Sequence, residues 1–335
     1  MFTLSDLQDW LNRLGAKPQH QRRIYRAMLN VAAWPTMDDE KFPKKLRLAV
    51  PEIQNKLASV LRIVHEDCAS ENEATKLLFA LHDGQTIESV LLPREGVCVS
   101  SQVGCAVGCV FCMTGKGGLV RQLDALEIIA QVAHARRVRP DTRKVAFMGM
   151  GEPSHNLRAV MQAIDFLGQY GDFPHKNLVL STVGDQRVFD RLAISQVKPA
   201  LAVSLHTTID EKRRQLLPKA GRLTVESLVE QAETYARATG YPTQYQWTLI
   251  DGLNDSDEEL ERIKDFLTGK YAMMNFIPVN DVEGSPYKRP AIERCAAMAR
   301  YLHQNHIVAK LRHSAAQEVQ GGCGQLRARK LQEKE

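Results

Sequence analysis

Three cysteines, Cys105, Cys109 and Cys112, fall within eight residues as Cys-x-x-x-Cys-x-x-Cys. Thiolates are soft ligands that suit iron–sulfur clusters or zinc. Structural zinc takes four ligands, commonly from two close pairs, and the chain has no second pair. Three thiolates on a four-iron cluster leave one iron open. An open iron can bind the amino and carboxylate groups of S-adenosylmethionine (SAM). Zinc remains the rival reading, and three adjacent apolar core cysteines explain the spacing less well. Gly149-Met150-Gly151-Glu152-Pro153 lets backbone approach a small ligand closely, although Gly-Glu-Pro alone reads equally as a turn. Gly115-Lys116-Gly117 is no phosphate loop, because no Ser or Thr follows the lysine, and no dinucleotide-binding fingerprint follows a strand. Cys323 lies among glycines in Gly321-Gly322-Cys323-Gly324, which suits a loop that presents a thiol.

These residues need a scaffold, and the chain is long enough to supply one. Its 335 residues are 44% hydrophobic and 25% charged, an ordinary globular composition for one large domain and a smaller one. Seven cysteines, three of them clustered, fit a reducing compartment better than a disulfide framework. The start MFTLSDLQDW has no apolar run behind a basic end, and no stretch approaches the roughly 18 apolar residues of a membrane span. A cytosolic protein without membrane association is expected. The net charge of +5 permits a polyanionic partner without requiring one. Basic residues concentrate in Arg136, Arg137, Arg139, Arg143 and Lys144, and again in Arg327, Arg329 and Lys330. Solvated helix ends account for both runs as readily as a binding face does.

Leu4, Leu7, Trp10, Leu11 and Leu14 recur at helical spacing before Gly15, and a second helix is expected over Gln19 to Val31. Strands are expected at Val60–His65, Lys76–Leu81 and Ile87–Leu92, with Asp83-Gly84 turning between the last two. From about residue 97 apolar strands alternate with amphipathic helices. The strands read Val97–Val103, Val145–Met150, Leu178–Thr182, Ala200–Leu205, Gln246–Ile250 and Met274–Val279. The helices read 123–137, 157–169, 224–238, 257–268 and 290–304. This alternation predicts an α/β fold with a parallel sheet. Six units suit a partial (βα)6 TIM-like barrel, preceded by a small α+β accessory domain. The expected divisions are 1–92, 93–326 and a charged tail, 327–335. In such barrels chemistry sits at the carboxyl ends of the strands. The Cys105 loop, Gly149–Pro153, Ser181–Gly184, Ser204–His206 and Asn280 all follow strands. Cys295 shares a helix face with Ile292, Ala299 and Leu302 and reads as core. By pattern alone Cys98 is a buried strand cysteine, Glu88 a solvent-facing strand carboxylate and His206 a satisfied strand-end histidine.

Taken in order, these stretches resemble the RlmN/Cfr family of radical-SAM RNA adenine methyltransferases. The resemblance covers nearly the whole chain and is strongest from about residue 88 to 326. It is carried by Cys98-Val-Ser-Ser-Gln-Val-Gly-Cys105 with the cluster motif, Phe147-Met-Gly-Met-Gly-Glu-Pro153, Leu180-Ser-Thr182 and Ser204-Leu-His206. Asn254-Asp255, Asn275-Phe-Ile-Pro278 with Asn280, and Cys323-Gly-Gln-Leu326 continue it. The chain departs from the family in Ala315 to Gly322, which lacks the usual acidic run, in Val279 where an aromatic is usual, and in Gln19-His-Gln-Arg22.

The resemblance implies that Cys105, Cys109 and Cys112 hold a [4Fe–4S] cluster. Gly151, Glu152, Ser181, Ser204, Leu205, His206 and Asn280 would line the SAM site. Cys323 would carry the methyl group, Cys98 would resolve the intermediate, and Glu88 would accept the ring proton. The chemistry explains these types. An adenine ring carbon is an electron-poor sp² centre that cannot displace the SAM methyl, whereas a thiolate can. A deoxyadenosyl radical from a second SAM would take hydrogen from the methyl on Cys323, and the methylene radical would add to the base. Proton loss and attack by Cys98 would free methylated RNA and leave a Cys98–Cys323 disulfide. The implied substrate is 23S ribosomal RNA, with tRNA as a further candidate. A reductant such as flavodoxin and a monomeric enzyme are also expected. The N-terminal segment and the Arg136–Lys144 run are candidate RNA contacts, with the target base extruded from its stack. Carbon 2 is favoured over carbon 8. A radical-SAM enzyme with a non-RNA substrate and a zinc-containing RNA-binding module are the other classes.

Overall fold

The computed structural model describes residues 1–68, 74–280, 285–312 and 326. The chain opens with three helices, α1 (Leu4–Arg13), α2 (Pro18–Met28) and α3 (Lys44–Ala58). Thr3 caps α1 and exchanges hydrogen bonds with Asp6, while Leu4, Leu7 and Leu11 face inward. Pro18 starts α2, where its fixed φ and missing N–H cost nothing. Three antiparallel strands follow, β1 (Arg62–Cys68), β2 (Thr75–Ala80) and β3 (Thr86–Leu92).

The sequence expectation of one strand over Val97–Val103 is corrected. Two short strands stand there, β4 (Gly96–Cys98) and β5 (Gln102–Gly104). The Ser100-Ser101 pair leaves the ladder because other groups claim it. The buried Gln131 carboxamide accepts from the Ser100 N–H at 2.8 Å and donates to its carbonyl at 3.0 Å. The Ser101 N–H donates to the Met150 carbonyl at 2.8 Å. β5 instead forms a two-stranded ribbon with β6 (Leu119–Gln122), across the short helix α4 (Met113–Lys116).

The remaining chain alternates as read. The order is α5 (Ala125–Val138), β7 (Lys144–Phe147), α6 (Leu157–Tyr170), β8 (Leu178–Thr182), α7 (Gln186–Ile194), β9 (Ala200–Ser204), α8 (Asp210–Leu216) and α9 (Val225–Thr239). It closes with β10 (Thr243–Leu249), α10 (Asp257–Leu267), β11 (Ala272–Pro278), α11 (Ile292–Gln304) and β12 (Val308–Leu311). Helices α5, α9 and α10 begin at Asp124, Thr224 and Ser256, whose side chains accept from backbone N–H groups of the first turn. Gly240 ends α9 at φ 71°, a left-handed value that favours glycine.

All the main strands join one ten-stranded sheet in the order β1-β2-β3-β4-β7-β8-β9-β10-β11-β12. The seven from β4 to β12 are parallel, so the α/β class and the run of six βα units hold. β6, β12, α3, α4, α7 and α8 are additions that the sequence reading did not place. The expected division at residue 92 falls between β3 and β4, which pair antiparallel in this same sheet. One hydrophobic core runs from Leu4 to Ala309. Among the described residues no helix is long and apolar enough to cross a membrane.

Candidate active site

A cavity of about 390 Å³ opens at the carboxyl ends of the parallel strands. Cys105, Cys109 and Cys112 line it together with Cys98, Gly151, Glu152, Ser181, Ser204, His206 and Asn280. Sequence-predicted residues from six separate stretches therefore meet in one place. Two do not line it. Leu205 is buried in the main core, and its N–H donates to the Gln246 carbonyl at 3.0 Å. Glu88 is buried on β3, 1% exposed, rather than solvent-facing. It lies on the face that carries Val90 and Cys98. Cys323 and the 327–335 tail lie outside the described residues. Cys295 is fully buried in the core, as read.

The cysteine loop is shaped by close backbone contacts. Gly104 has φ +79°, and a Cβ there would lie 2.0 Å from the Gly118 carbonyl oxygen. That carbonyl accepts from the Cys105 N–H at 3.0 Å. The Val110 N–H donates to Leu216 and the Lys219 N–H to Val107, which fastens the loop to α8. Val107, Val183, Leu217, Ile250 and Val279 pack beneath it. Phe111 sets its ring edge-on to His206 at 4.9 Å.

The donor set fits an iron–sulfur cluster. Burial first, then the neighbouring Cys112 and Glu152, push the Cys105 thiol up to about 11. Burial pushes Cys109 higher still, with Cys112 and Cys105 adding to it. Thiols so desolvated and so close to one another become thiolates only beside concentrated positive charge, which iron supplies. Among the described residues no three His, Cys, Asp or Glu side chains converge on a single ion position. Cys105, Cys109 and Cys112 line one cavity and would hold an iron–sulfur cluster between them. Asn280 Oδ1 is buried with no hydrogen-bond partner among the described residues, which leaves an acceptor at the cavity for a ligand's N–H or O–H group.

Glu152 braces the site. Its carboxylate accepts from Thr182 Oγ1 at 2.6 Å, the Ser154 N–H at 2.9 Å and the Val183 N–H at 3.1 Å. Its own N–H donates to Gln102 Oε1 at 2.7 Å. His206 has φ 63°, and its Nδ1 accepts from the Thr248 N–H at 2.9 Å. Burial, helped by Arg213, holds its pKa down at about 3, so the ring is neutral. Asn254 joins the same loops by donating to the His206 and Thr248 carbonyls and accepting from the Ile250 N–H. Arg213 donates to the Val183 and Ser204 carbonyls. Sequence reasoning misses Gln131 and Arg213, since polar side chains that tie loops carry no spacing signal; Gln102 and Asn254 are visible only as parts of motifs.

The Arg136–Lys144 run is not one basic face. Arg136 is buried with its guanidinium 3.8 Å from the Phe173 ring centre. Arg139 donates to the Leu92 carbonyl and Thr75 Oγ1. Arg137 and Arg143 remain exposed.

Comparison with known proteins agrees with this geometry. Residues 99–267, half of the chain, match the model of the radical SAM superfamily. A protein of Methylibium petroleiphilum named a probable RNA methyltransferase is 56% identical over 98% of this chain and 93% of its own length. One of Aromatoleum aromaticum with the same description is 55% identical over 97% and 92%. A crystal structure of a radical SAM methyltransferase from Sphaerobacter thermophilus superposes with a TM-score of 0.81 at 35% identity, covering 96% of this chain and 97% of that one.

Proposed function

The chain belongs to the radical SAM superfamily and is a SAM-dependent methyltransferase; from that premise we propose that it methylates an adenine ring carbon of RNA through a methyl-carrying cysteine. RNA as the substrate rests on the relatives named probable RNA methyltransferases. One observation supports the route above others: a fourth thiol, Cys98, opens into the cavity lined by Cys105, Cys109 and Cys112. Hydrogen abstraction from a substrate needs the three cluster thiols alone, and a fourth at the cavity wall has work only if a thiol exchange follows.

When bound through Cys105, Cys109 and Cys112, a [4Fe–4S] cluster supplies the electron that splits SAM. Gly151, Glu152, Ser181, Ser204, His206 and Asn280 shape the SAM pocket, and Leu205 supports it from the core. Cys323 carries the methyl group to the base, Glu88 takes the ring proton, and the unpaired electron of the radical adduct would leave to the one-electron acceptor that the cluster, oxidised by the splitting of SAM, would supply. The Cys98 thiolate then attacks the Cys323 sulfur. The sulfur–carbon bond breaks, its electron pair and a proton complete the new methyl group, and a Cys98–Cys323 disulfide remains. The apolar walls of Val90, Leu92 and Met148 keep water from the radical step. Carbon 2 of an adenine in 23S ribosomal RNA, with tRNA as a further target, is the preferred position.

Cys98→Ala tests the scheme. Under anaerobic turnover this variant should accumulate protein covalently joined to RNA on a denaturing gel, while Cys98→Ala/Cys323→Ala should not. An absence of linked RNA in the single variant, with iron and SAM cleavage intact, refutes the exchange. Nucleoside mass spectrometry of RNA from cells with and without the gene tests the carbon. Loss of 8-methyladenosine with 2-methyladenosine unchanged overturns carbon 2.

A further inference from the structure

We propose that the outward face of the cysteine loop, flanked by Lys116, Lys219 and Arg222, is the docking surface for an acidic electron-carrier protein that reduces the cluster. The inference rests on the reading of a [4Fe–4S] cluster at Cys105, Cys109 and Cys112.

The loop alternates between two sides. Cys105, Val107, Cys109 and Phe111 line the cavity. Ala106, Gly108 and Val110 do not line it and are half-buried. Each is the chain neighbour of a cavity residue, and consecutive Cα atoms are about 3.8 Å apart. A strip of small, uncharged residues therefore stands between the cluster position and solvent, one layer of backbone thick.

Two segments frame this strip. The first is the turn into β6. There the Gly118 carbonyl accepts from the Cys105 N–H at 3.0 Å, and a Cβ on Gly115 would lie 3.1 Å from Gly108 Cα. The second follows α8. There the Lys219 N–H donates to the Val107 carbonyl and the Val110 N–H to the Leu216 carbonyl, both at 3.1 Å. Each segment carries exposed cations, Lys116 on the first and Lys219 and Arg222 on the second. None of these three forms an ion pair among the described residues. The acids of the second segment are taken: Glu211 pairs with Arg214, and Asp210 accepts from the Val225 N–H. On β6, next to the same loop, Leu119 and Val120 are 38% and 52% exposed. An apolar middle within a charged rim is the layout of a protein interface, and the sign of the rim selects an acidic partner and speeds its encounter.

The chemistry says what that partner does. Splitting SAM needs a reduced cluster. One electron passes from the carrier, which is oxidised by one unit, to the cluster, which is reduced by one, and no atom moves. RNA is the less fitting partner for this face. The base must enter the cavity, whose lining excludes Ala106, Gly108 and Val110. Phosphates set against Val110, Leu119 and Val120 would lose water and gain no hydrogen bond from them. A carrier on the outward face leaves the cavity to SAM and the base.

The test uses the reconstituted holoenzyme with two acidic carriers, flavodoxin and a [2Fe–2S] ferredoxin. Lys116→Glu/Lys219→Glu/Arg222→Glu reverses the rim. Lys41→Glu/Lys44→Glu/Lys45→Glu changes the net charge equally at exposed positions on and just before α3. Calorimetry at low salt should show the rim variant binding a carrier on the order of tenfold more weakly than wild type, and the control unchanged. The gap should close in about 1 M salt, where the screening length falls to about 3 Å. SAM cleavage driven by limiting carrier should slow in the rim variant, while cleavage driven by dithionite should match wild type. Carrier affinity of the rim variant within about threefold of wild type, or an equal loss in the control, overturns the proposal. So does a wild type that binds neither carrier. A loss of RNA affinity with carrier affinity unchanged gives the face to RNA and overturns it too. A wild type that holds no iron, or splits no SAM with dithionite, instead removes the cluster reading. If the rim variant loses iron, Val120→Glu decides by the same binding measurement: weaker carrier binding supports the surface, and unchanged binding overturns it.

Discussion

Glu152→Gln asks whether this carboxylate braces the site, as its contacts indicate. The substitution keeps shape and removes charge. Three donors point at the carboxylate: Thr182 Oγ1, the Ser154 N–H and the Val183 N–H. A glutamine has one acceptor oxygen and one NH₂ group. With the oxygen toward Ser154, the NH₂ faces the Val183 N–H, donor against donor. With the amide flipped, the NH₂ faces the Ser154 N–H. The Thr182 hydroxyl can rotate, but a backbone N–H cannot. Either orientation therefore leaves one buried N–H unsatisfied, at a cost of about 1–3 kcal/mol. The surviving bonds also lose charge assistance, so the total is about 2–4 kcal/mol. Arg213, which draws favourable interaction from Glu152, loses that as well.

Against a total stability of about 5–15 kcal/mol for an ordinary domain, this loss should be plain in anaerobic urea unfolding. SAM affinity, measured by equilibrium dialysis, should fall with it, because the loops after β7 and β8 share the brace. A stability change below about 0.5 kcal/mol, within the range of a neutral surface change, would refute the bracing role. It would leave Glu152 free to act on a ligand directly.

Other expectations follow from the same geometry. Replacing Cys105, Cys109 or Cys112 singly by Ala should abolish bound iron and SAM cleavage; iron near four per chain in all three variants would remove the cluster assignment. Gly104→Ala would set a Cβ 2.0 Å from the Gly118 carbonyl oxygen at a φ of +79°, so the cysteine loop shifts and reconstituted iron should fall below half of wild type. Iron content equal to wild type would show that the loop absorbs the change. Burial, with Arg213 and Arg137 adding, holds His206 near 3 and His134 near 4. Unfolding raises both toward the ordinary histidine value, so the unfolded chain binds more protons below about pH 6.5. Stability is then complete above that pH and falls as pH drops, by about 2–3 kcal/mol per unit near pH 5.5 from these two groups. Urea midpoints that stay flat from pH 7 to 5 would contradict the burial of both rings.

The sequence carried the parts of the site that hydrophobic runs and cysteine spacing can carry. Each apolar strand ends where a polar or glycine residue begins, so the pattern alone sets Ser181, Ser204 and Gly149–Pro153 at strand ends. A parallel sheet then gathers all such ends on one side. The loops between them were harder. Ser100 and Ser101 sit inside an apolar run, and only the tertiary partner Gln131 shows why the strand breaks there. Helices α7 and α8 are short, with three and two buried residues respectively, too few for a periodic signal. Lys76 shows the deeper limit. In Thr75-Lys-Leu-Leu-Phe-Ala80 the period of two sets Lys76 opposite Leu77 and Phe79, and a lysine opposite core residues reads as solvent-facing. Period two assigns a side chain to a face but does not say whether that face is wet. Here it is the dry wall of a cavity, because the antiparallel strands continue the barrel sheet and turn their second face toward Cys98. The same pairing that buries Glu88 buries Lys76. The charges that pattern alone assigns to solvent are thus the ones the sheet buries.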